Sequence, residues 1–415
     1  EPQLDPAKLA AAFQDGEEPE DTKDMLSSVG VVHIDGNGVG AIMRDLKRAH
    51  DAVKNIANKR PDMTIVSGIH DFQSFIMSVN KRLDDVVKDA IALSWYDVQE
   101  LTPKDAQEPT PKTVVPIVPV LVGGDDVTVY TGGSYAIPFA EAYIRHYEKL
   151  TKDDDLLSVL AIVAGGKKTD APERDRFEID DYIIQEPGPL TASAGVAIVG
   201  RNFPFHIAYD LAEGLVSRGK KLGKKKDTVP CSTIDFHVLR DATVLDPDDT
   251  LDEYKGRTQR PFLIGHYAQD RIMAEADMSP KDWWTQILRT VAAFDGKKPG
   301  DPTQTTGDPF PRARANRIVK LLAEGDAEKA TTEWDVALQN APSAGLLAKQ
   351  LKLLPPHSSS SDEAGESLEQ IKWLLDLIDL SGNLPDGYLA SRIRGDADCV
   401  GSQEAADQST EGGAQ

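Results

Sequence analysis

Three carboxylates occupy positions where the sequence predicts that strands end or turn. Asp35 follows the short apolar run VVHI, which predicts a buried strand. Asp125 and Asp126 lie in the turn GGDD between the apolar runs VVPIVPVLV and VTVY, which together predict a β-hairpin. In a βαββαβ sheet the first strand and the hairpin are neighbours, so we expect the three carboxylates to converge at one edge. Such a cluster suits two Mg²⁺ (or Mn²⁺) ions, which can activate a hydroxyl and stabilise a leaving pyrophosphate.

A glycine-rich turn and a basic run provide the predicted phosphate contacts. Glycines follow Asp35 and lead into a helix, where backbone N–H groups and the helix N-terminus suit a triphosphate. The basic run RGKKLGKKK ends the helix that follows the strand ASAGVAIV. Its lysines could reach the outer phosphates, although the helix dipole alone also favours lysine there. These candidates are Gly36, Gly38, Gly40, Lys220, Lys221 and Lys224.

Hydrophobic periodicity predicts the elements that must position these residues. Apolar residues three and four apart predict helices over Val39–Asn58 and Ile69–Val98, with further helices over Ala136–Leu150 and Phe205–Leu222. Besides VVHI and the hairpin, ASAGVAIV and Thr233–Val238 predict strands. The order contains a βαββαβ unit. The predicted fold class is therefore α+β: a ferredoxin-like βαββαβ domain followed by an all-helical C-terminal domain.

Changes in composition predict four segments. Residues 1–28 read as an acidic linker or peripheral helix, and residues 29–255 as the α+β domain with a loop-rich insertion at about 152–190. The strand signal stops after about residue 255, and residues 256–395 are predicted to form the helical domain. Residues 396–415 are polar and glycine-bearing, which predicts a disordered tail.

The net charge of the chain disfavours polyanionic partners. The 415 residues include 68 acidic and 46 basic ones, giving a net charge of −22. Bulk attraction to nucleic acid or to an anionic membrane is therefore disfavoured. No apolar run of about 18 residues predicts a membrane span, and the N-terminus lacks the pattern of a signal peptide. Two cysteines far apart exclude a disulfide framework and fit a cytoplasmic location.

Several motifs, taken in order, resemble a known family. VVHIDGNGVG, LVGGDDVTVY and TASAGVAIVG, with a following helix that ends in basic residues, resemble the palm domain of the large polymerase-like subunit of type III CRISPR effector complexes. They are also similar to stand-alone minimal CRISPR polymerases and, more distantly, to GGDEF diguanylate cyclases. GRTQRPFLIGHY resembles the stretch that follows this palm, and the resemblance in motif covers about residues 30–270.

The resemblance implies a nucleotidyltransferase that joins NTPs, typically ATP, into cyclic or short oligonucleotide second messengers in antiviral defence. Carried over by position, Asp35 and Asp125 would be the main catalytic metal ligands, with Asp126 assisting. The residues that would lie against the nucleotide are Gly36, Asn37, Gly38, Gly40 and Ser193. Asn37 stands where many relatives have an acidic residue. The expected partners are an NTP and either a second copy of the chain or CRISPR-like effector subunits.

Three alternatives remain open at the level of sequence. The first is a catalytically degenerate palm that serves as a nucleotide-binding or scaffold subunit, which the asparagine at position 37 keeps in view. The second is a homodimeric diguanylate-cyclase-like enzyme, although Val127 follows a GGDD rather than a GGDE turn. The third is an HD phosphohydrolase, because His50-Asp51 and His70-Asp71 are His-Asp doublets.

Overall fold

The protein is described by a computed structural model over residues 28–59, 71–101, 117–166, 183–225, 228–239, 246–254, 256–268, 271, 282–340, 342–354 and 366–394. Apart from residue 28, the predicted segment 1–28 lies outside these ranges, as does the predicted tail at 396–415. The described chain is a mixed α+β structure, as predicted.

A six-stranded mixed sheet forms the centre of the N-terminal half. Its strands are β1 (Ser28–Gly36), β2 (Ile117–Gly123), β3 (Asp126–Gly132), β4 (Ala192–Gly200), β5 (Ser232–Val238) and β6 (Phe262–Ile264). Their order across the sheet is β2-β3-β1-β4-β5-β6. Neighbouring strands run antiparallel except for β4 and β5, which are parallel. The register sets Asp35 opposite Ser193 and Gly123 opposite Asp126.

Helices cover both faces of this sheet. In chain order they are α1 (Val39–Arg44), α2 (Leu46–Lys59), α3 (Phe72–Gln99), α4 (Gly133–Asp153), α5 (Leu157–Ala164), α6 (Phe205–Gly223) and α7 (Pro247–Glu253). Side chains alternate along β1, so Val32 and Ile34 join the core cluster that includes α4. Val31 points to the other face and packs against α6. Among the helices in the described ranges, none is long and apolar enough to cross a lipid bilayer.

The predicted helix over Val39–Asn58 is broken into α1 and α2 at Asp45. This residue leaves the helical region of φ and ψ, at −137° and 63°. Its carboxylate accepts a hydrogen bond from the backbone N–H of Arg48 at 3.1 Å. An aspartate that satisfies a free N–H group of the first turn starts a new helix. Periodicity alone does not reveal such a break.

The predicted loop-rich insertion at 152–190 contains a buried helix. The residues of α5 are mostly apolar and buried, and a helix satisfies their backbone hydrogen bonds where a loop would not. Asp154 stabilises the turn that leads into α5, because its carboxylate accepts hydrogen bonds from the N–H groups of Leu156 and Leu157, both at 2.9 Å. The charged residues 167–182 lie outside the described ranges.

The prediction of an all-helical C-terminal domain over 256–395 is wrong. Helices do predominate there: α8 (Trp283–Phe294), α9 (Arg312–Ala323), α10 (Ala327–Asn340), α11 (Pro342–Leu351), α12 (Glu366–Ile371) and α13 (Leu374–Asn383), with a further helical stretch at 386–394. However, β6 joins the main sheet beside β5, and β7 (Lys297–Lys298) and β8 (Asp301–Thr305) form a second, two-stranded sheet. These strands are short or polar and give no alternating apolar pattern.

A buried ion cluster ties the segment before β6 to α13. The Arg260 guanidinium is 1% exposed and pairs with Asp376 at 2.7 Å and Asp379 at 2.9 Å. It also donates to the carbonyl of Phe236 in β5 at 2.7 Å. Asp376 accepts a second hydrogen bond, from the backbone N–H of Gln259. One arginine therefore joins the sheet edge to the helical half of the molecule.

We expect Arg260→Met to lower the free energy of unfolding by about 3–5 kcal/mol, because two buried carboxylates would lose their counter-charge. Urea unfolding measures this loss. The matched control is Arg257→Met, at an exposed arginine three residues earlier, which should change stability by no more than about 0.5 kcal/mol. Equal stabilities of the two variants would contradict the importance of this cluster.

Candidate functional site

The three predicted carboxylates lie together. One oxygen from each of Asp35, Asp125 and Asp126 can be chosen so that all three lie within 4.8 Å of one another. Asp35 is the penultimate residue of β1, Asp125 lies in the turn between β2 and β3, and Asp126 begins β3. All three are half-buried. The predicted convergence at one edge of the sheet is therefore present in the structure.

Two glycines make this approach possible. The turn between paired Gly123 and Asp126 has only two residues, and Gly124 takes the left-handed conformation at φ 59° that such turns require. On the neighbouring strand, a Cβ atom at Gly36 would lie 2.9 Å from the Cβ atom of Asp125. Any larger residue at position 36 would therefore push the hairpin carboxylate away from Asp35.

The crowded negative charge changes the acidity of the hairpin aspartates. Burial, together with the charges of Asp126 and Asp35, raises the pKa of Asp125 to about 6. Burial and the charge of Asp35 also raise the pKa of Asp126. At an effective dielectric constant of about 20, two carboxylate charges at such distances repel each other by about 3 kcal/mol. The cluster therefore favours a bound positive charge.

Lys220 supplies one such charge from α6. Its ammonium group forms an ion pair with the Asp35 carboxylate. The pair is partly shielded, with 24% of the Lys220 side chain and 28% of the Asp35 side chain exposed. Strand alternation places Asp35 on the face of β1 that packs against α6, which explains why a helix lysine reaches it.

The other two predicted lysines differ from each other. Partial burial lowers the pKa of Lys224, and the charge of Lys220 adds to this effect, while Asp35 and Asp125 oppose it. Lys224 therefore lies within electrostatic reach of the acidic cluster. Lys221 is exposed on the same helical turn, and no described ion pair joins it to the cluster. The structure thus pairs Lys220 with a carboxylate, leaves Lys224 exposed but within electrostatic reach of the cluster, and leaves Lys221 in solvent.

Asn37 and Ser193 form part of a buried hydrogen-bond network. The Asn37 amide donates to the hydroxyl of Thr191 and to the carbonyl of Cys231, both at 3.2 Å, and it accepts from Ser193 at 3.0 Å. Ser193 is fully buried and also accepts from Thr233 at 2.9 Å. Both predicted nucleotide contacts therefore have their polar side-chain groups engaged inside the protein. Their visible role is to tie the turn after β1 to β4 and β5.

The remaining predicted glycines have different surroundings. Gly38 precedes α1 with φ 86°, and a Cβ atom there would lie 2.6 Å from the carbonyl oxygen of Ala164. It is needed for the tight contact with α5. Gly40 is exposed in the first turn of α1, with open space around it. Because α1 has only six residues, its N-terminus contributes a weak dipole.

His33 belongs to the same surroundings and was not among the predicted residues. It lies two residues before Asp35 on the same face of β1, and its Nδ1 atom is 3.0 Å from the hydroxyl of Thr128. Burial lowers its pKa, against the opposing charges of Asp126 and Asp35. A neutral imidazole does not compete with a cation for the carboxylates. The period-two alternation of a strand is the signal that could have identified it.

Two other polar regions are weaker candidates. A cleft of about 520 Å³ lies between α4 and α8, but its two arginines are already paired: Arg145 with Asp97, and Arg392 with Glu141. His50 packs against the ring of Phe75 at 4.9 Å, and residue 70 lies outside the described ranges. The HD alternative therefore gains no support. Within the described ranges, the three aspartates are the one His, Cys, Asp or Glu group with metal-binding spacing.

Comparison with known proteins assigns neither a family nor a function to this chain. No protein-family model matches this chain, and no curated protein matches it significantly. The donor set can be tested on its own chemistry. Carboxylate oxygens are the ligands that Mg²⁺ and Mn²⁺ prefer, and the pKa of Asp125, raised by burial and by the neighbouring carboxylates, shows negative charge that a cation would neutralise. The residues present therefore fit a divalent cation.

Asp125→Asn should stabilise the cation-free protein at pH 7. Because the folded-state pKa of Asp125 lies above its usual value of 3.8, the folded chain holds this proton more tightly. Stability is therefore lost as the pH rises from about 4 to 6, and asparagine removes that loss. We expect a gain of about 1 kcal/mol, less than the full shift implies because the carboxylate is half-exposed.

Urea unfolding in EDTA at pH 7 and at about pH 3.5 measures the effect, which should vanish at the lower pH. Addition of Mg²⁺ should stabilise the wild type and not Asp125→Asn. Asp252→Asn, at an exposed aspartate of α7, is the control and should change neither value. A loss of stability in Asp125→Asn at pH 7 would contradict the account of charge crowding.

Proposed function

We propose that this chain is a nucleotidyltransferase that joins NTPs, with ATP as the expected substrate, into cyclic or short oligonucleotides. The observation that carries the proposal is the convergence of Asp35, Asp125 and Asp126 at one sheet edge with Lys220 beside them. Carboxylates that can hold divalent cations, next to a lysine that can face phosphate, are what nucleotidyl transfer needs.

The strand order supports the assignment of a ferredoxin-like palm to the N-terminal half. Within the βαββαβ part, the order β2-β3-β1-β4 puts β1 between the hairpin and β4. The strand that bears Asp35 is thus adjacent to the hairpin that bears the other two aspartates. This agrees with the motif resemblance to CRISPR polymerase-like subunits.

The proposed reaction forms one bond and breaks one. A 3′-hydroxyl oxygen attacks the α-phosphorus of an NTP, the bond from that phosphorus to the bridging α,β-oxygen breaks, and pyrophosphate leaves with the electron pair. Divalent cations held by the three aspartates would lower the pKa of the hydroxyl and neutralise the leaving group. The hydroxyl proton passes to solvent, so the chain need not supply a general base.

Lys220 has two alternative partners in this scheme. Without a nucleotide it neutralises Asp35. A divalent cation on Asp35 would release the ammonium group, which then lies at the edge where a triphosphate would bind. Lys224 lies within electrostatic reach of the same edge, so it can add a second positive charge. The basic helix end thereby concentrates positive charge that the net-acidic protein otherwise lacks.

The purified protein, incubated with each radiolabelled NTP and Mg²⁺ or Mn²⁺, should yield phosphatase-resistant products. The double variant Asp125→Ala/Asp126→Ala should yield none, because the cation ligands are lost. The matched control is Asp84→Ala/Asp85→Ala, at an exposed aspartate pair on α3, which should retain full activity. Products from the Asp125→Ala/Asp126→Ala protein, or equal loss in both double variants, would contradict the proposed site.

Lys220→Gln should raise KM for the NTP by about tenfold, because a charge-assisted hydrogen bond to phosphate contributes about 1.5 kcal/mol or more. Affinity for Mn²⁺ should not fall, since the lysine competes with the cation for Asp35. Lys221→Gln is the control at the next, exposed position and should keep the wild-type KM. Steady-state kinetics and calorimetry measure both quantities, and equal KM values for the two variants would contradict the role of Lys220.

A second candidate is a nucleotide-binding or scaffold subunit without turnover. The side chain of Asn37 favours it, because that amide is committed to the buried network and adds no fourth ligand to the cation site. Calorimetry separates the candidates: metal-dependent NTP binding without product supports the subunit. A preference for GTP over ATP would favour the diguanylate-cyclase-like alternative. Assembly with a second copy or with CRISPR-like subunits, and a cytoplasmic location, remain predictions from the sequence.

A further inference from the structure

Two tyrosines in α4 have buried hydroxyl groups with which no described residue forms a hydrogen bond. Tyr143 and Tyr147 lie one helical turn apart, each 1% exposed, and their rings stack with centroids 5.9 Å apart and an angle of 12°. Within the described part of the chain, neither hydroxyl has a hydrogen-bond partner. Buried hydroxyls are normally paired, so two unpaired ones on successive turns indicate a partner that joins them in another state.

The course of α4 brings these hydroxyl groups to the end of the sheet that bears the carboxylates. The helix begins directly after β3 and packs back across the face of the sheet formed by Val32 and Ile34. From Gly133 to Tyr147 it rises about 21 Å, close to the roughly 23 Å length of the seven-residue strand β3. One turn later, Thr151 accepts a hydrogen bond from the backbone of Leu190, just before β4.

Electrostatic coupling agrees with this placement. Burial raises the pKa of Tyr143, and the charges of Asp125 and Asp126 raise it further. The pKa of Tyr147 is raised by burial, by Tyr143, and then by Asp125 and Asp35. Tyr135, near the start of the same helix, has its pKa raised by burial alone. Tyr143 and Tyr147 therefore lie within electrostatic reach of the acidic cluster, whereas the cluster does not contribute to the pKa shift of Tyr135.

Both phenols keep their protons at neutral pH and can act only as donors toward a carboxylate. In metal sites, carboxylate ligands are themselves oriented by such hydrogen bonds, and Mg²⁺ retains several waters whose protons need acceptors around them. Gly36 leaves room for Asp125 on the same side of β1.

We propose that Tyr143 and Tyr147 are positioning residues of the acidic cluster, whose hydroxyls donate to Asp125 and accept from water in the hydration shell of the bound cation. This inference rests on the proposed cation site. When the cation is bound, the two hydroxyls that are otherwise unpaired gain hydrogen-bond partners. Such a role also explains why tyrosine rather than phenylalanine occupies two otherwise apolar positions under the sheet.

Mn²⁺ titration calorimetry of the full chain at pH 7 tests the proposal on wild type, Tyr143→Phe, Tyr147→Phe and their double variant. We expect each single change to weaken Mn²⁺ binding about tenfold, because loss of an orienting hydrogen bond typically costs about 10- to 100-fold in metal affinity. The melting temperature in EDTA should stay the same or rise, since the hydroxyls are unpaired without the cation. Tyr135→Phe is the control and should bind Mn²⁺ like the wild type.

Three different outcomes would overturn the inference. If the wild type binds Mn²⁺ and the two variants bind it equally well, the tyrosines do not position the site, while the proposed function stands. If the wild type binds no Mn²⁺ at neutral pH, the cation site fails, and the inference fails with it. A melting temperature in EDTA that falls along with affinity would assign the hydroxyls a structural role instead.

Discussion

Repulsion among three carboxylates at one edge of a sheet is the constraint on which the other features of the site depend. The fold holds Asp35, Asp125 and Asp126 close enough for one cation to touch all three. Burial and this proximity together raise the pKa of Asp125, and the ammonium group of Lys220 pairs with Asp35. A protein gains nothing in stability from such crowding. The arrangement is explained if its positive partner arrives with a substrate.

The chain maintains this unfavourable cluster by rigid local structure. A two-residue turn and a glycine on the adjacent strand set the distance between the hairpin and β1. The buried amide of Asn37 then fixes the turn after β1 to β4 and to the start of β5. On the far side, Arg260 ties the sheet to the helical half through two buried carboxylates. Apart from the two-residue turn, each of these contacts joins segments distant in sequence, so the site depends on the whole fold.

The sequence correctly predicted the strands and helices that local apolar patterns encode. Apolar runs located β1, the hairpin, β4 and β5, and the helical spacing located α3, α4 and α6. The strands β6, β7 and β8 were not predicted because they are short or polar. The helix break at Asp45 was not predicted because a capping aspartate does not disturb the apolar periodicity. Asn37 and Ser193 were expected at the nucleotide because their position resembles a motif. The hydrogen bonds that join Asn37 to Thr191 and to Ser193 span more than 150 residues of sequence and are set by tertiary structure alone.

The most direct test of the central claim is a crystal structure of the protein with Mn²⁺ and a non-hydrolysable ATP analogue. We expect an anomalous peak for Mn²⁺ at about 2.2 Å from carboxylate oxygens of Asp35 and Asp125, the usual distance for such ligands. We also expect the ammonium group of Lys220 to leave Asp35 and to contact the phosphates. Mn²⁺ and nucleotide bound elsewhere, with Lys220 still paired to Asp35, would contradict the central claim.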